Sequence, residues 1–219
     1  YNVGGKATDD ERADAKRLSL TNLQGRAVKG PHTVTAGDVF ESFSQYTLAS
    51  SLKGASYRYR DEGTKRPEIT GVFGWAKPRW DSVWNDPVSR TIDRQAAGLR
   101  VKQDFNGDLW AGLSAVSAKD TGRVTATDAL YDAKNYALDF NYVPMPGLTA
   151  AGEYALSDTE LSASAGAAKV SGDGSAARLE LVGDADPSRI SLEYENVDTD
   201  FYSALGSAAS DRRKLKARW

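Results

Sequence analysis

The residues that could do chemistry in this chain are few in type and regular in spacing. There is one histidine, His32, and no cysteine among 219 residues. That excludes thiol nucleophiles, CxxC redox chemistry and thiolate metal sites. A lone imidazole leaves no second ring for a shared metal, and a serine triad would have to be built on His32 alone. What remains is charge placed two residues apart. Glu193 and Glu195 fall on one face of any strand that holds them, as do Arg178 and Glu180, and as do Lys214, Lys216 and Arg218. Paired carboxylates could serve as acid and base, but cross-strand charge pairs lining a polar compartment account for the pattern more economically. Three cations on one face repel unless acids or anions compensate.

Other chemical patterns are weaker. The aspartates of GDADPS (Asp184, Asp186) and NVDTD (Asp198, Asp200) lack the spacing of a twelve-residue calcium loop and read as turn caps. The glycine-rich run GAAKVSGDGSAA, 166–177, has no GK[ST] and no strand-to-helix context, so it reads as an exposed flexible loop. Trp75, Trp80 and Trp84 could stack on a sugar, although an interfacial girdle or a loop-packing cluster is the better reading. No catalytic, cofactor-binding or metal-ligating residue is expected, and no enzymatic activity. With 28 basic and 30 acidic residues, the net charge of −2 gives no reason to expect nucleic acid as a partner.

The elements that position these charges are strands. Period-two alternation recurs along most of the chain. In AAGLRVKQDF, Ala97, Leu99 and Val101 share one face while Gly98, Arg100 and Lys102 share the other. Asn106-Gly107-Asp108 then makes a tight turn into LWAGLSAVSA, which aligns Leu109, Ala111, Leu113 and Ala115. Tyr136, Leu138, Phe140 and Tyr142 alternate with Asn135, Ala137, Asp139 and Asn141. After the PMPG turn, Leu148, Ala150, Gly152, Tyr154 and Leu156 lie opposite in phase to Glu153. In the third hairpin Leu179 and Leu181 face the same way as Ile190, Leu192 and Tyr194, with Arg178, Glu180, Glu193 and Glu195 on the polar side. Upstream, KRLSLTNLQGRA, HTVTAGDVFESFSQYTL, LKGASYRYR and EITGVFGWAK read as four strands, with Gly37, Gly54, Gly71 and Gly74 marking bulges or close backbone approach. KATDDERADAKR is expected to form at most a turn or two of helix.

Connections alternate in length. Those around 106–108, 144–147 and 184–188 are tight; those at 119–134, 157–175 and 198–211 are long and polar. Short turns therefore gather at one end and long loops at the other, the layout of an outer-membrane β-barrel. Alternation alone leaves open whether the apolar face meets lipid or a protein core. Strand lengths near the 9–11 residues that cross a bilayer favour lipid, as do the Ala and Gly content of that face and Tyr136, Tyr142, Tyr154 and Tyr194 near strand ends. No stretch approaches the roughly 18 apolar residues of a membrane helix.

The segments NYALDFNYVPMPGLTAAGEYALSD and SRISLEYENVDTDFYSALGSAASDRRKLKARW resemble hairpins of bacterial outer-membrane β-barrels of the porin-like kind, a likeness that runs from Gln95 onward. GDVFESFSQYTLASSLKGASYRYR resembles a segment of outer-membrane export barrels such as fimbrial ushers, from which this chain departs in having no cysteine. The expectation is an all-β, antiparallel, up-and-down transmembrane barrel of about 10–12 strands over 1–219, preceded by a polar segment at 1–15. The chain starts at Tyr1 and reads as a processed or excised piece; the barrel either closes within it or continues beyond it. The lumen would be lined by Arg100, Lys102, Asp139, Glu153, Arg178, Glu180, Glu193, Glu195, Lys214, Lys216 and Arg218. The implied function is a porin-like or export conduit, with membrane lipid, small solutes or an exported polymer, and protein partners of an outer-membrane complex as candidate contacts. The alternatives are a scaffold barrel and a soluble β-barrel binding an apolar ligand.

Overall fold

The computed structural model describes residues 2–7, 18–63, 65–80, 83, 92–122 and 125–219. Twelve strands form one antiparallel sheet in chain order: β1 (Asn2–Ala7), β2 (Leu18–Lys29), β3 (His32–Ser44), β4 (Leu48–Tyr59), β5 (Glu68–Trp75), β6 (Arg94–Asp104), β7 (Leu109–Asp120), β8 (Leu130–Met145), β9 (Leu148–Ser162), β10 (Lys169–Ala185), β11 (Ser188–Val197) and β12 (Arg212–Arg218). This is an up-and-down meander. β1 and β12 are its edges, and no pairing joins them among the described residues. The sheet is nonetheless strongly curled, because the β3–β4 turn reaches β9, β10 and β11 from the inside.

Turn chemistry sets the register of the hairpins. Gly107 (φ 83°) and Gly147 (φ 82°) occupy the left-handed region that a side chain disfavours. They fix the pairs Asp104↔Trp110 and Met145↔Leu148 at the tight end. Once register is fixed, alternation decides which face each residue takes. The apolar set points outward: Leu99 is 51% exposed, Leu113 60%, Leu138 49% and Tyr154 50%. The polar set points inward, with Arg100, Ser114, Asn135, Asp139 and Glu195 buried. An outward apolar face rules out the soluble reading in which that face fills a core.

On β9 the outward apolar run from Leu148 to Leu156 spans about 27 Å at ~3.4 Å per residue. At a tilt of about 40° that is roughly 21 Å of height, close to the ~25 Å apolar band of outer-membrane barrels.

Several sequence expectations are corrected. The strand expected over HTVTAGDVFESFSQYTL, 32–48, ends at Ser44, because the chain reverses at Gln45–Thr47 and Leu48 already opens β4. The loops expected at 119–134 and 157–175 shrink to 121–129 and 163–168, since β8, β9 and β10 run on as a paired extension. The glycine-rich run at 166–177 is therefore mostly strand β10, held by the ladder from Lys169↔Ser162 onward. Tyr136 and Tyr154 consequently lie in mid-strand and not near strand ends. Asn2–Ala7, inside the polar N-terminal segment 1–15, is β1. The helical turn expected at 6–17 falls, apart from Lys6 and Ala7 in β1, outside the described residues.

The connection at 198–211 is not a solvated loop. Phe201 and Leu205 are buried in two apolar clusters inside the curl: one of Val39, Phe43, Leu48, Leu52, Val72, Val116 and Leu205, the other of Tyr46, Ala137, Ala155, Ala176, Val197 and Phe201. The fully wet interior expected from the sequence is thus partly dry.

Candidate functional site

The polar part of the interior is built by strands β6 to β12 around the β3–β4 turn. Arg100 on β6 donates from Nη1 to Asp139 Oδ1 (2.8 Å) and to Ser114 Oγ (2.8 Å), and from Nη2 to Asp139 Oδ2 (2.6 Å). This fork spans β6, β7 and β8. It crosses β7 at Gly112, where a Cβ would stand 2.9 Å from Asp139 Oδ1. Lys102, two residues along, lies over the Trp110 ring at 4.1 Å.

Glu153 on β9 accepts the backbone amides of Gln45 (3.0 Å) and Tyr46 (2.9 Å). Its carboxylate does for the turn what a ladder carbonyl does within a sheet. Tyr46 donates its hydroxyl to Glu195 (3.0 Å). Burial, and then the Glu195 carboxylate, push the phenol up from its ordinary value, so it remains a donor. Arg178 donates to Gln45 Oε1 (2.7 Å) and to Glu180 (2.9 Å), with its Nε 3.7 Å from Glu193. Glu180 and Glu193 oppose each other directly across β10 and β11. That like-charge pair is bridged by Arg178 and by Lys214, which donates to Glu193 at 2.7 Å.

The structure thus brings Asp139, Glu153, Arg178 and Glu180 together around a cavity of 220 Å³ that also meets Ser44, Gln45 and Trp110. Arg100, Glu193 and Glu195 back onto it through their partners. Lys214 and Lys216 oppose Glu195 and Glu193 in register, and Arg212 reaches Glu195 at 3.3 Å. Arg218 opposes Ser191 at the end of β12, away from the cluster. The arrangement offers both signs of charge on one concave surface. Among the described residues no group of three or more metal-ligating side chains is assembled.

Sequence reasoning missed Gln45 and Tyr46, which organise the cavity, and Asn135, which donates to the Tyr202 carbonyl (2.8 Å). The segment SQYT carries no Gly, Pro, Asn or Asp, so no local signal marks the turn. Of the three tryptophans, Trp80 is buried, donates to Asp38 (3.0 Å) and lies against Lys53, which fits the packing reading better than a sugar platform at that residue. Trp84 lies outside the described residues.

No protein family matches the sequence, and no curated protein does. Among solved structures the chain is similar to OmpTΔL8, a loop L8 deletion mutant of OmpT, an outer membrane protein of Vibrio cholerae. The likeness covers 91% of this chain and 70% of that one, at 14% identity and a TM-score of 0.53. It is also similar to OmpT of Vibrio cholerae expressed in the outer membrane, at 14% identity and a TM-score of 0.43, over 91% of this chain and 78% of that one. The fold is that of a bacterial outer-membrane β-barrel protein. With an apolar outer face and a charged inner one, its place is the bacterial outer membrane. The sequence-based expectation of no enzymatic activity is corrected by the OmpT match: an architecture shared with those barrels removes the ground for excluding catalysis, and that exclusion is withdrawn.

Proposed function

We propose that the chain is a porin-like conduit whose inner face selects among small charged solutes. The observation that carries this reading is the sorting of charge. Arg100, Asp139, Glu153, Arg178, Glu180, Glu193, Glu195 and Lys214 all turn inward, while the large apolar side chains of the same strands turn outward. Along the part of the wall that stays accessible, Arg178, Glu180, Glu193 and Lys214 carry both signs of charge and act on a passing ion by field and by diameter. A cavity of 220 Å³ beneath the β3–β4 turn suits a small solute better than an exported polymer.

Ion preference in this reading is mildly anionic. Glu193 and Glu195 face the Lys214–Arg218 stripe and neutralise part of its field. Reconstituted into planar bilayers, the protein should conduct. Changing Lys214 and Lys216 together to Glu should move the reversal potential toward cations. The shift should shrink between 0.1 M and 1 M salt, as the screening length falls from about 10 Å to about 3 Å. An unchanged ion preference in a conducting double variant removes the stripe from the mechanism. The apolar filling by Tyr46, Phe201 and Leu205 favours a second reading, a scaffold barrel; a folded, inserted and non-conducting wild type would decide for it.

A further inference from the structure

On β2 to β5 the residues Gln24, Gly37, Gly54 and Gly74 stand side by side in one row. The β2–β3 ladder ends at that row and the β4–β5 ladder one pair beyond it, yet β3 and β4 stay paired as far as Ser44↔Leu48. Residues 38–53 therefore leave the wall as a two-stranded finger. Its root is a place of close backbone approach. Gly37 has φ 108°, and a Cβ there would stand 2.0 Å from Leu23 O; one on Gly54 would stand 2.0 Å from Phe73 O. The finger lays Val39, Phe43 and Leu52 against Val72 and Val116 of the inner wall and carries Gln45 and Tyr46 across to Glu153 and Glu195. Phe40, on its opposite face, is 65% exposed.

A strand that leaves a sheet strips its neighbour of ladder partners, and those backbone groups need others. Here side chains at the root supply them. Leu23 N donates to Asp38 Oδ2 (2.5 Å), Gln24 Nε2 to Asp38 O (2.7 Å) and Lys53 Nζ to Thr21 O (2.9 Å). Asp38 also pairs with Lys53 and accepts the Trp80 indole N–H (3.0 Å). Trp80 is anchored in turn by its backbone amide, which donates to Leu20 O (3.1 Å). One carboxylate thus joins the finger, β2 and the connection between β5 and β6. Within the bend, Arg58, four residues past Gly54, donates to Glu41, four residues past Gly37, at 2.5 Å.

We infer that Asp38 is a positioning residue: it fixes the angle at which the finger enters the interior, and through that angle the largest solute that passes. The inference rests on the conduit reading. Gln45 lies seven residues beyond Asp38, roughly 23 Å at ~3.3 Å per residue, so a change of about 10° at the root displaces the tip by about 4 Å. The contacts of Gln45 and Tyr46 hold the end of the finger, whereas Asp38 sets its direction. Neutralising Asp38 also leaves the Lys53 ammonium, 7% exposed as a side chain, without its counter-charge.

The test is single-channel recording in planar bilayers with neutral polyethylene glycols of graded size, joined to hydrogen exchange of the folded protein in micelles. Asp38→Asn should give an open current that flickers to a higher level, and it should admit larger glycols than the wild type. Trp80→Phe, which keeps a ring and removes one donor, should shift both in the same direction by less, and it carries the test if Asp38→Asn fails to fold. Asp38→Glu, which keeps the charge, should stay nearest the wild type. In exchange, the Gln45 and Tyr46 amides should lose protection in Asp38→Asn while the β9–β10 ladder keeps it. A steady current with an unchanged size limit overturns the proposal, as does a loss of protection spread evenly over all strands, the mark of a merely destabilised barrel. If the wild type does not conduct, the conduit reading falls by itself. The clamp is then judged on exchange at Gln45 and Tyr46, where unchanged protection overturns it.

Discussion

At the scale of single residues, the interior is governed by the cost of leaving a charge unpaired. Arg100 and Asp139 are both about nine-tenths buried as side chains and share a two-pronged bond. A pair of this kind contributes little relative to an apolar substitute, but removing one member strands the other. Asp139→Asn should therefore destabilise the barrel by about 3–5 kcal/mol. The double change Arg100→Met, Asp139→Leu should cost less than either single change. Urea unfolding in lipid vesicles, read by intrinsic fluorescence, measures both, and additive losses would show that the two side chains act independently. Arg178 differs in kind: it bridges Glu180, Glu193 and Gln45, so its removal would expose two opposed carboxylates to each other.

At the scale of elements, the connection between β11 and β12 is the piece whose behaviour the strands do not dictate. It enters the mouth and is tied there by bonds from other elements: Ala49 N donates to Leu205 O (2.9 Å) and Ser207 N to Gln45 O (2.7 Å). Tyr202 stacks on Tyr131 at 4.4 Å. Its outer hinge is Asp198, which accepts the Ser175 hydroxyl (2.5 Å) and amide (3.0 Å). Those bonds, the hydroxyl first, hold the carboxyl below its ordinary value. A carboxyl lowered in the folded state stabilises above its unfolded value near 3.8 and loses that contribution as pH falls through the folded value. Hydrogen exchange at the Ser175 amide should therefore remain protected at pH 5–7, once corrected for intrinsic rates, and lose protection below pH 3.8. Asp198→Asn should flatten that dependence. A profile identical in the two proteins would mean that the hinge does not depend on the charge of Asp198.

For the whole molecule, the decisive quantity is which way the apolar face points. Leu113 and Leu192 are outward on well-separated strands. Leu113→Arg or Leu192→Arg should each impair folding into lipid vesicles by about 2–4 kcal/mol where the site lies near the midplane, and by less toward the interfaces. Wild-type insertion of both variants would count against the orientation. Much of this was legible in the sequence. Period-two alternation and glycine-bearing turns assign β6 to β11, their faces and their pairing, because side-chain direction in a strand depends only on parity and register on the turn. The charged set Arg100, Asp139, Glu153, Arg178, Glu180, Glu193, Glu195 and Lys214 could be placed on one face for the same reason. Parity is blind, however, to which side of a sheet becomes the inside, and it carries nothing about contacts between residues far apart in the chain. That the apolar face is convex, that Gln45 and Tyr46 cross the interior to Glu153 and Glu195, 107 and 149 residues away from Tyr46, and that Phe201 and Leu205 fill the mouth follow only from the curl of the whole sheet. Curl brings strands together by geometry summed over eleven pairings, and no local run of residues records that sum.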